Sequence, residues 1–191
     1  MNSSKIALLG LLKATVSPLQ RQRLERIDSE DFSAVRKKAR EILKSMGIEA
    51  SEEYLDLGIL GLKQYYALPV LNPKNGHAVS AEIDPFWHAH MLFTRQFARF
   101  GQDVIGGPMH HIPLDHDHAG QLENVRTLYG YTLGILKELF GEDGLDPRVW
   151  PRSVVDARLM CIMYDGVATP PDLDEHALFP FAEAGRVWAF A

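Results

Sequence analysis

Apolar residues recur at three- to four-residue spacing along much of the chain, which is the spacing of one face of an α-helix. Asp31 can cap the second of these stretches and Gly47 can end it. Pro18 breaks the first stretch, because proline has no N–H group to donate inside a helix. The pattern predicts a mostly α fold, with helices over residues 8–27 with a break at Pro18, 32–46, 52–66, 84–100 and 119–140.

The segments between these helices are rich in glycine, proline and histidine. Residues 68–80 contain two prolines and an Asn-Gly pair, and residues 101–118 contain several glycines and prolines, so both are predicted to be long loops. Residues 154–163 fit a helix or a strand equally well. Residues 165–191 are interrupted by prolines and rich in aromatic side chains, which predicts an irregular C-terminal tail wrapped on the surface.

Length and composition place the chain among ordinary globular proteins. Its 191 residues, with 46% hydrophobic and 24% charged residues and no internal repeat, predict one compact domain over residues 1–191, with a core at 51–164 and a tail at 165–191. The formal net charge of -5 gives no electrostatic reason to bind nucleic acid or an anionic membrane. No stretch of 18 apolar residues occurs, so a cytoplasmic protein without a membrane span is expected.

The histidines are concentrated, since six of the eight fall between positions 88 and 118. A single cysteine, Cys161, excludes a disulfide framework and a cysteine-rich zinc ribbon, so a metal site would depend on His, Asp or Glu. On a regular helix, His88 and His90 of the sequence DPFWHAH point about 160° apart and do not share a metal ion. His90 shares a face with phenylalanines, which predicts a core histidine satisfied by one hydrogen bond.

His88 is the stronger candidate for a metal ligand, because it lies on the polar side of this predicted helix, four residues after Asp84. Its position near the helix N-terminus predicts a lowered pKa and a neutral ring. Asp84 precedes Pro85, so it fits a helix N-cap, but its carboxylate could also serve a metal or the His88 ring. Trp87 is interpreted as a core anchor.

The second group of histidines supplies possible partners for His88. His110 and His111 would alternate in an extended segment, so only one of them can face His88. The sequence DHDH at residues 115–118 can ligate a metal or cap the next helix. Two histidines and a carboxylate are the ligands of catalytic zinc and of non-haem iron sites. The candidate ligands of a divalent zinc or iron ion are therefore His88, His111, His110 and Asp84.

The same residues resemble the glycine-rich domain-containing protein-like family. Its pattern is D-x-x-W-H-x-x-x-L-x-T-x-x-[YF], then F-G, then H-H-x-P. The matching residues here are Asp84, Trp87, His88, Leu92, Thr94, Phe97, Gly106, His110, His111 and Pro113, with Ile105-Gly106 in place of the usual Phe-Gly. Phe100-Gly101 stands where bacterial relatives usually have Phe-Cys, so a thiol mechanism is not expected. The resemblance implies a mostly helical domain in which Asp84, His88 and one of His110 and His111 act together, and it implies no particular reaction.

Three functions remain open from the sequence. The first is a metal-binding helical protein, with a zinc- or iron-dependent enzyme acting on a small molecule as its more specific form. The second is a non-enzymatic interaction module, in which the histidine cluster is structural and a protein partner docks on the aromatic tail. The third is metal-free acid/base catalysis by His88 and Asp84, and it ranks last because no serine or cysteine nucleophile motif is present.

Overall fold

The computed structural model describes residues 7–73, 75–113, 119–152 and 159–165. Seven α-helices lie within these residues, and the prediction of a mostly helical fold is confirmed. The helices are Leu8–Leu11 (α1), Pro18–Ser29 (α2), Ser33–Ser45 (α3), Glu52–Leu71 (α4), Asp84–Met91 (α5), Thr94–Phe100 (α6) and Ala119–Phe140 (α7). A π-helix at Gly101–Ile105 and a short 3-10 helix at Glu142–Gly144 complete the helical elements.

Local sequence signals mark the start of α2 and the end of α3, but the predicted cap of α3 is wrong, because its N-cap is Phe32 rather than Asp31. The first predicted stretch is helical only at Leu8–Leu11 and from Pro18 onward. Pro18 is the first residue of α2, and Ser17 and Gln20 form a reciprocal capping box in which each side chain accepts the other's backbone N–H. At the end of α3, Gly47 adopts a positive φ of 79°, a conformation that glycine reaches without steric cost. Local capping and chain reversal therefore define these two helix ends.

Helix α4 forms the centre of the helical body. Ser51 caps it by accepting the backbone N–H of Tyr54 at 3.1 Å, and the helix continues past its predicted end to Leu71 with Pro69 inside it. Most of its side chains from Leu62 onward are buried. This burial on several faces explains why the apolar pattern alone did not place the C-terminal end of the helix.

Helix α5 packs closely on α4 through two glycines. A side chain at Gly58 would overlap the ring of Phe86, and one at Gly61 would overlap the end of Ile83. The absence of a Cβ at these two positions lets the start of α5 approach the α4 backbone. The position of the residues that follow, including Asp84 and His88, depends on this contact.

Three short strands form an antiparallel sheet, which corrects the two predicted long loops. Its order is β1-β3-β2, and the strands are His77–Ser80 (β1), Met109–Pro113 (β2) and Leu159–Asp165 (β3). Pro73 and the Asn75-Gly76 pair precede β1, and Pro108 and Pro113 lie at the two ends of β2, whereas Pro69 lies inside α4. All four residues of β1 are buried, so no alternation of polar and apolar residues marked it as a strand.

The sheet is joined to the helical body through α7. The backbone N–H of Ala78 in β1 donates to the Thr132 hydroxyl of α7 at 3.2 Å, and His77 stacks on the Tyr131 ring at 5.9 Å. Within residues 154–163, left open between helix and strand, the described part belongs to β3. The order β1-β3-β2 places β2 at an edge of the sheet.

The predicted single helix over residues 84–100 is interrupted. Phe93 has φ -89° and ψ 62°, which ends α5 and precedes α6. Neither glycine nor proline marks this break in the sequence, and Phe93 is half-buried against the core, so tertiary packing overrides the helical pattern here.

Two further predictions are not tested by the described residues. Residues 166–191, nearly all of the predicted tail, lie outside the described residues, and the assignment of residues 1–191 to one domain remains a prediction. Across the described ranges, no helix has the length and apolar character needed to span a membrane.

Candidate metal centre

Helix α5 places Asp84 and His88 side by side. They are four residues apart and therefore neighbours on the helix surface, and His88 Nδ1 lies 2.9 Å from Asp84 Oδ2. The predicted N-cap role of Asp84 is wrong. Ile83 already has helical backbone angles and occupies the N-cap position, so Asp84 is the first helical residue and its carboxylate faces His88.

Strand β2 brings His111 to the same place. His111 pairs with Met163 of β3, and its ring centre lies 4.7 Å from that of His88. His111 Nε2 is 3.8 Å from Asp84 Oδ1, which is too long for a hydrogen bond. This nitrogen is buried and has no hydrogen-bond partner among the described residues. Buried polar atoms usually have a partner, so this nitrogen is a candidate for binding an additional group.

Each of Asp84, His88 and His111 offers one ligand atom, and the three atoms lie within 4.8 Å of one another. Around a tetrahedral ion with bonds of about 2.1 Å, ligand atoms are separated by about 3.4 Å. The group therefore fits a divalent ion after side-chain movements of about 1 Å, on the order of what rotation about a single χ angle provides. Asp84, His88 and His111 supply the two imidazoles and one carboxylate that bind zinc or non-haem iron in other proteins.

The three side chains differ in exposure. The Asp84 side chain is 6% exposed and that of His111 is 16% exposed, whereas that of His88 is 43% exposed. The carboxylate and one histidine are thus held inside the protein, and His88 forms the solvent-facing edge. A ligand would reach the site from the His88 side.

The electrostatics of His88 differ from the sequence prediction. The hydrogen bond from His88 to Asp84 raises the pKa of the imidazole above its ordinary value, while partial burial opposes the shift. The predicted lowering by the helix N-terminus is not seen, because α5 has only eight residues and His88 lies in its last turn. A metal ion binds the neutral form of the His88 ring, so metal binding competes with the proton that Asp84 stabilises on that ring.

Trp87 is the core anchor that the sequence predicted, and it also borders the site. It is fully buried, its ring centre is 4.8 Å from that of His111, and it makes an edge contact with Tyr65 at 5.3 Å. Its indole Nε1 is buried and has no hydrogen-bond partner in the part of the chain that is described. No sequence signal distinguishes an indole N–H without a partner from one that is hydrogen-bonded.

His90 lies apart from this group, in the aromatic core. Its Nδ1 is 2.7 Å from the Tyr66 hydroxyl, and its ring makes edge contacts with Phe32, Phe97 and Phe100. Burial lowers the pKa of His90 to about 4, so the ring is neutral at physiological pH. The interpretation of His90 as a core histidine with one hydrogen bond is confirmed.

Among the described residues, His110 does not join the group. His110 is exposed and lies next to His111 on β2, as expected for alternation along a strand. Asp115, His116, Asp117 and His118 lie outside the described residues. A surface cleft of about 610 Å³ lies at α2, α6 and the π-helix, and none of the three grouped residues lines it.

A comparison with family models matches residues 22–129, which is more than half of the chain and includes all three grouped residues. The chain belongs to the UCP032817-like family. The function of the UCP032817-like family is not established, and the resemblance to the glycine-rich domain-containing protein-like family and its motif is not confirmed. No curated protein and no solved structure matches the chain significantly.

Proposed function

We propose that the protein binds a divalent metal ion through Asp84, His88 and His111 and leaves at least one coordination position open. The observation that carries the proposal is the buried His111 Nε2, which has no hydrogen-bond partner among the described residues and faces the buried Asp84 carboxylate at 3.8 Å. An ion bound by His111 Nε2 would give this nitrogen a partner, which a direct contact with Asp84 at 3.8 Å does not.

The donor set favours zinc or iron as the ion. Two imidazoles and one carboxylate ligate zinc in hydrolytic sites, and the same set forms the facial triad of non-haem iron enzymes. Structural zinc sites usually have four protein ligands, whereas three ligands leave room for water or a substrate. We therefore extend the proposal to an enzyme acting on a small molecule, in which the ion activates water or the bound substrate.

A non-enzymatic interaction module is the alternative, and one observation favours it. The contact between His88 and Asp84 has the length of an ordinary hydrogen bond, and the His111 ring packs against buried Trp87, so the cluster is held together by protein contacts alone. In that case the cluster stabilises the junction of α5 and β2, and a protein partner docks on the aromatic C-terminal tail. We also propose a cytoplasmic location for either function, with no nucleic-acid partner.

Elemental analysis of untagged protein separates the two functions. We expect close to one equivalent of zinc or iron in the wild type and a large loss in His88→Ala and His111→Ala. The exposed neighbour His110 gives the matched control, since His110→Ala should keep the metal. Less than about a tenth of an equivalent, with no thermal shift on adding Zn²⁺ or Fe²⁺, would exclude the metal site and leave the interaction module.

A further inference from the structure

The indole of Trp87 stands out from that of the other described tryptophan. Trp150 is equally buried, and its Nε1 donates a hydrogen bond of 2.8 Å to Gln64 Oε1. Trp87 Nε1 is buried without a hydrogen-bond partner among the described residues. Buried indole N–H groups usually have a partner, because losing water without a replacement costs free energy. The site next to Trp87 is therefore short of a hydrogen-bond acceptor.

The charge of the metal centre indicates what that acceptor is. A divalent ion bound by the Asp84 carboxylate and two neutral imidazoles carries a net charge of about +1. An open position on such an ion favours a monoanion. Zinc and iron both accept oxygen ligands, so an oxygen-donor anion suits either ion.

Two groups at this site need a partner, namely the open position of the metal ion and the Trp87 indole N–H. Their arrangement favours a carboxylate over other anions. The Trp87 ring centre is 4.8 Å from that of His111, so the indole and the ion would be neighbours. A carboxylate has two oxygens on one carbon, and one can bind the ion while the other accepts the indole N–H. Because the His111 ring packs on Trp87, moving His111 onto the ion also changes the packing beside the indole.

We propose that the open position of the metal binds a small carboxylate, and that Trp87 Nε1–H donates a hydrogen bond to its second oxygen. The inference rests on the proposed metal site and adds the class of ligand and a positioning residue for it. We expect the carboxylate to enter past the His88 ring, because His88 is the most exposed of the three grouped side chains.

Acetate is the probe, and the test follows the indole protons of uniformly ¹⁵N-labelled, zinc-loaded protein by NMR. The chain has three tryptophans, and their indole signals are assigned by through-space contacts and by the variants Trp87→Phe and Trp150→Phe. We expect acetate at constant pH and ionic strength to shift the Trp87 Nε1–H signal downfield in a saturable way. The Trp150 signal should not move, because its N–H is already bound to Gln64.

A second measurement uses the visible spectrum of the cobalt-substituted protein to obtain the acetate dissociation constant. Trp87→Phe should bind cobalt with unchanged stoichiometry and raise that constant about tenfold, as expected for losing a hydrogen bond to a charged group. Trp150→Phe should leave it unchanged. If Trp87→Phe does not fold, the NMR titration of the wild type decides alone.

The possible failures are distinguishable. No bound zinc or cobalt contradicts the proposed metal site and this inference together. Bound metal with a cobalt spectrum that acetate does not change leaves the metal site intact and overturns the carboxylate site. Acetate binding with a fixed Trp87 indole signal overturns the role of Trp87.

Discussion

Asp84 Oδ2 and His88 Nδ1 lie 2.9 Å apart on the first and last turns of a helix of only eight residues. The pair joins a buried carboxylate to a half-exposed imidazole, and the carboxylate raises the pKa of the imidazole. The same carboxylate faces His111 with its other oxygen. Asp84 therefore lies beside both histidines, and we expect its substitution to alter the protonation of His88 and the binding of a metal together.

Asp84→Asn removes the charge and preserves the size of the side chain. Without metal, we expect the pKa of His88 to fall below its wild-type value, because the hydrogen bond to a charged acceptor and its attraction are both lost. With metal, affinity should fall by about 100-fold or more, since even residues that only support metal ligands contribute about 10- to 100-fold. NMR titration of the His88 ring and competition with a metal chelator measure the two effects.

An exposed aspartate on α4 provides the control for this variant. Asp56 pairs with Arg36 at the surface, so Asp56→Asn makes the same chemical change away from the site. It should leave the His88 pKa and the metal affinity unchanged. Wild-type metal affinity in Asp84→Asn would show that Asp84 is not a ligand.

Tyr66→Phe tests the buried hydrogen bond to His90. The change removes one hydroxyl and leaves His90 Nδ1 buried without its partner, so unfolding free energy should fall by about 1 to 3 kcal/mol. Metal affinity should not change, because His90 lies in the aromatic core away from Asp84. Urea unfolding and a metal titration check both statements. Tyr131→Phe is the control, since its hydroxyl accepts from Asn72 in a half-buried position and its loss should cost less.

The start of α2 and the end of α3 could be predicted from sequence because their signals are local. Ser17 and Pro18 begin α2, Gly47 follows the end of α3, and each of these residues acts through its own backbone or through one three residues away. The strands could not be predicted in this way. β1 and β2 are only four and five residues long, and both pair with β3, which lies about 50 to 80 positions later in the chain. Their pairing is a tertiary property that no local pattern contains.

Only part of the candidate site could be predicted from the sequence. Asp84 and His88 are neighbours on any regular helix, so their contact follows from the spacing of four residues. The choice of His111 over His110 depends on the register of β2 against β3, and a shift of one residue would exchange them. The partnerless N–H of Trp87 depends on the packing of the whole core, so the sequence carried no sign of it.

Two glycine variants test the packing that positions α5. Gly58→Ala should lower the unfolding free energy by about 1 to 3 kcal/mol, because the added methyl group overlaps the Phe86 ring. Gly134→Ala is the matched control, since Gly134 is an exposed residue of α7 with nothing near its Cβ position. It should raise the unfolding free energy by about 0.5 to 1 kcal/mol through helix propensity. Equal effects of the two changes in denaturant unfolding would contradict the close contact of α4 and α5.

His77 should make the protein sensitive to mild acid. Burial lowers the pKa of His77 to about 4, although contact with the Asn72 backbone opposes the shift, and neither ring nitrogen has a hydrogen bond of normal geometry to a described residue. The unfolded chain, with a pKa near 6.5, binds this proton first. Unfolding free energy therefore falls as pH drops from about 6.5, and the loss from this residue reaches about 3 kcal/mol at pH 4.

His77→Phe removes the titrating group and keeps a ring that can stack on Tyr131. Urea unfolding between pH 7 and pH 4 should then show a shallower decline than in the wild type, with part of the decline remaining because His90 is buried with a similarly lowered pKa. His110→Phe is the control, because His110 is exposed and should leave the slope unchanged. Identical slopes in His77→Phe and the wild type would mean that the His77 ring takes up its proton in the folded protein.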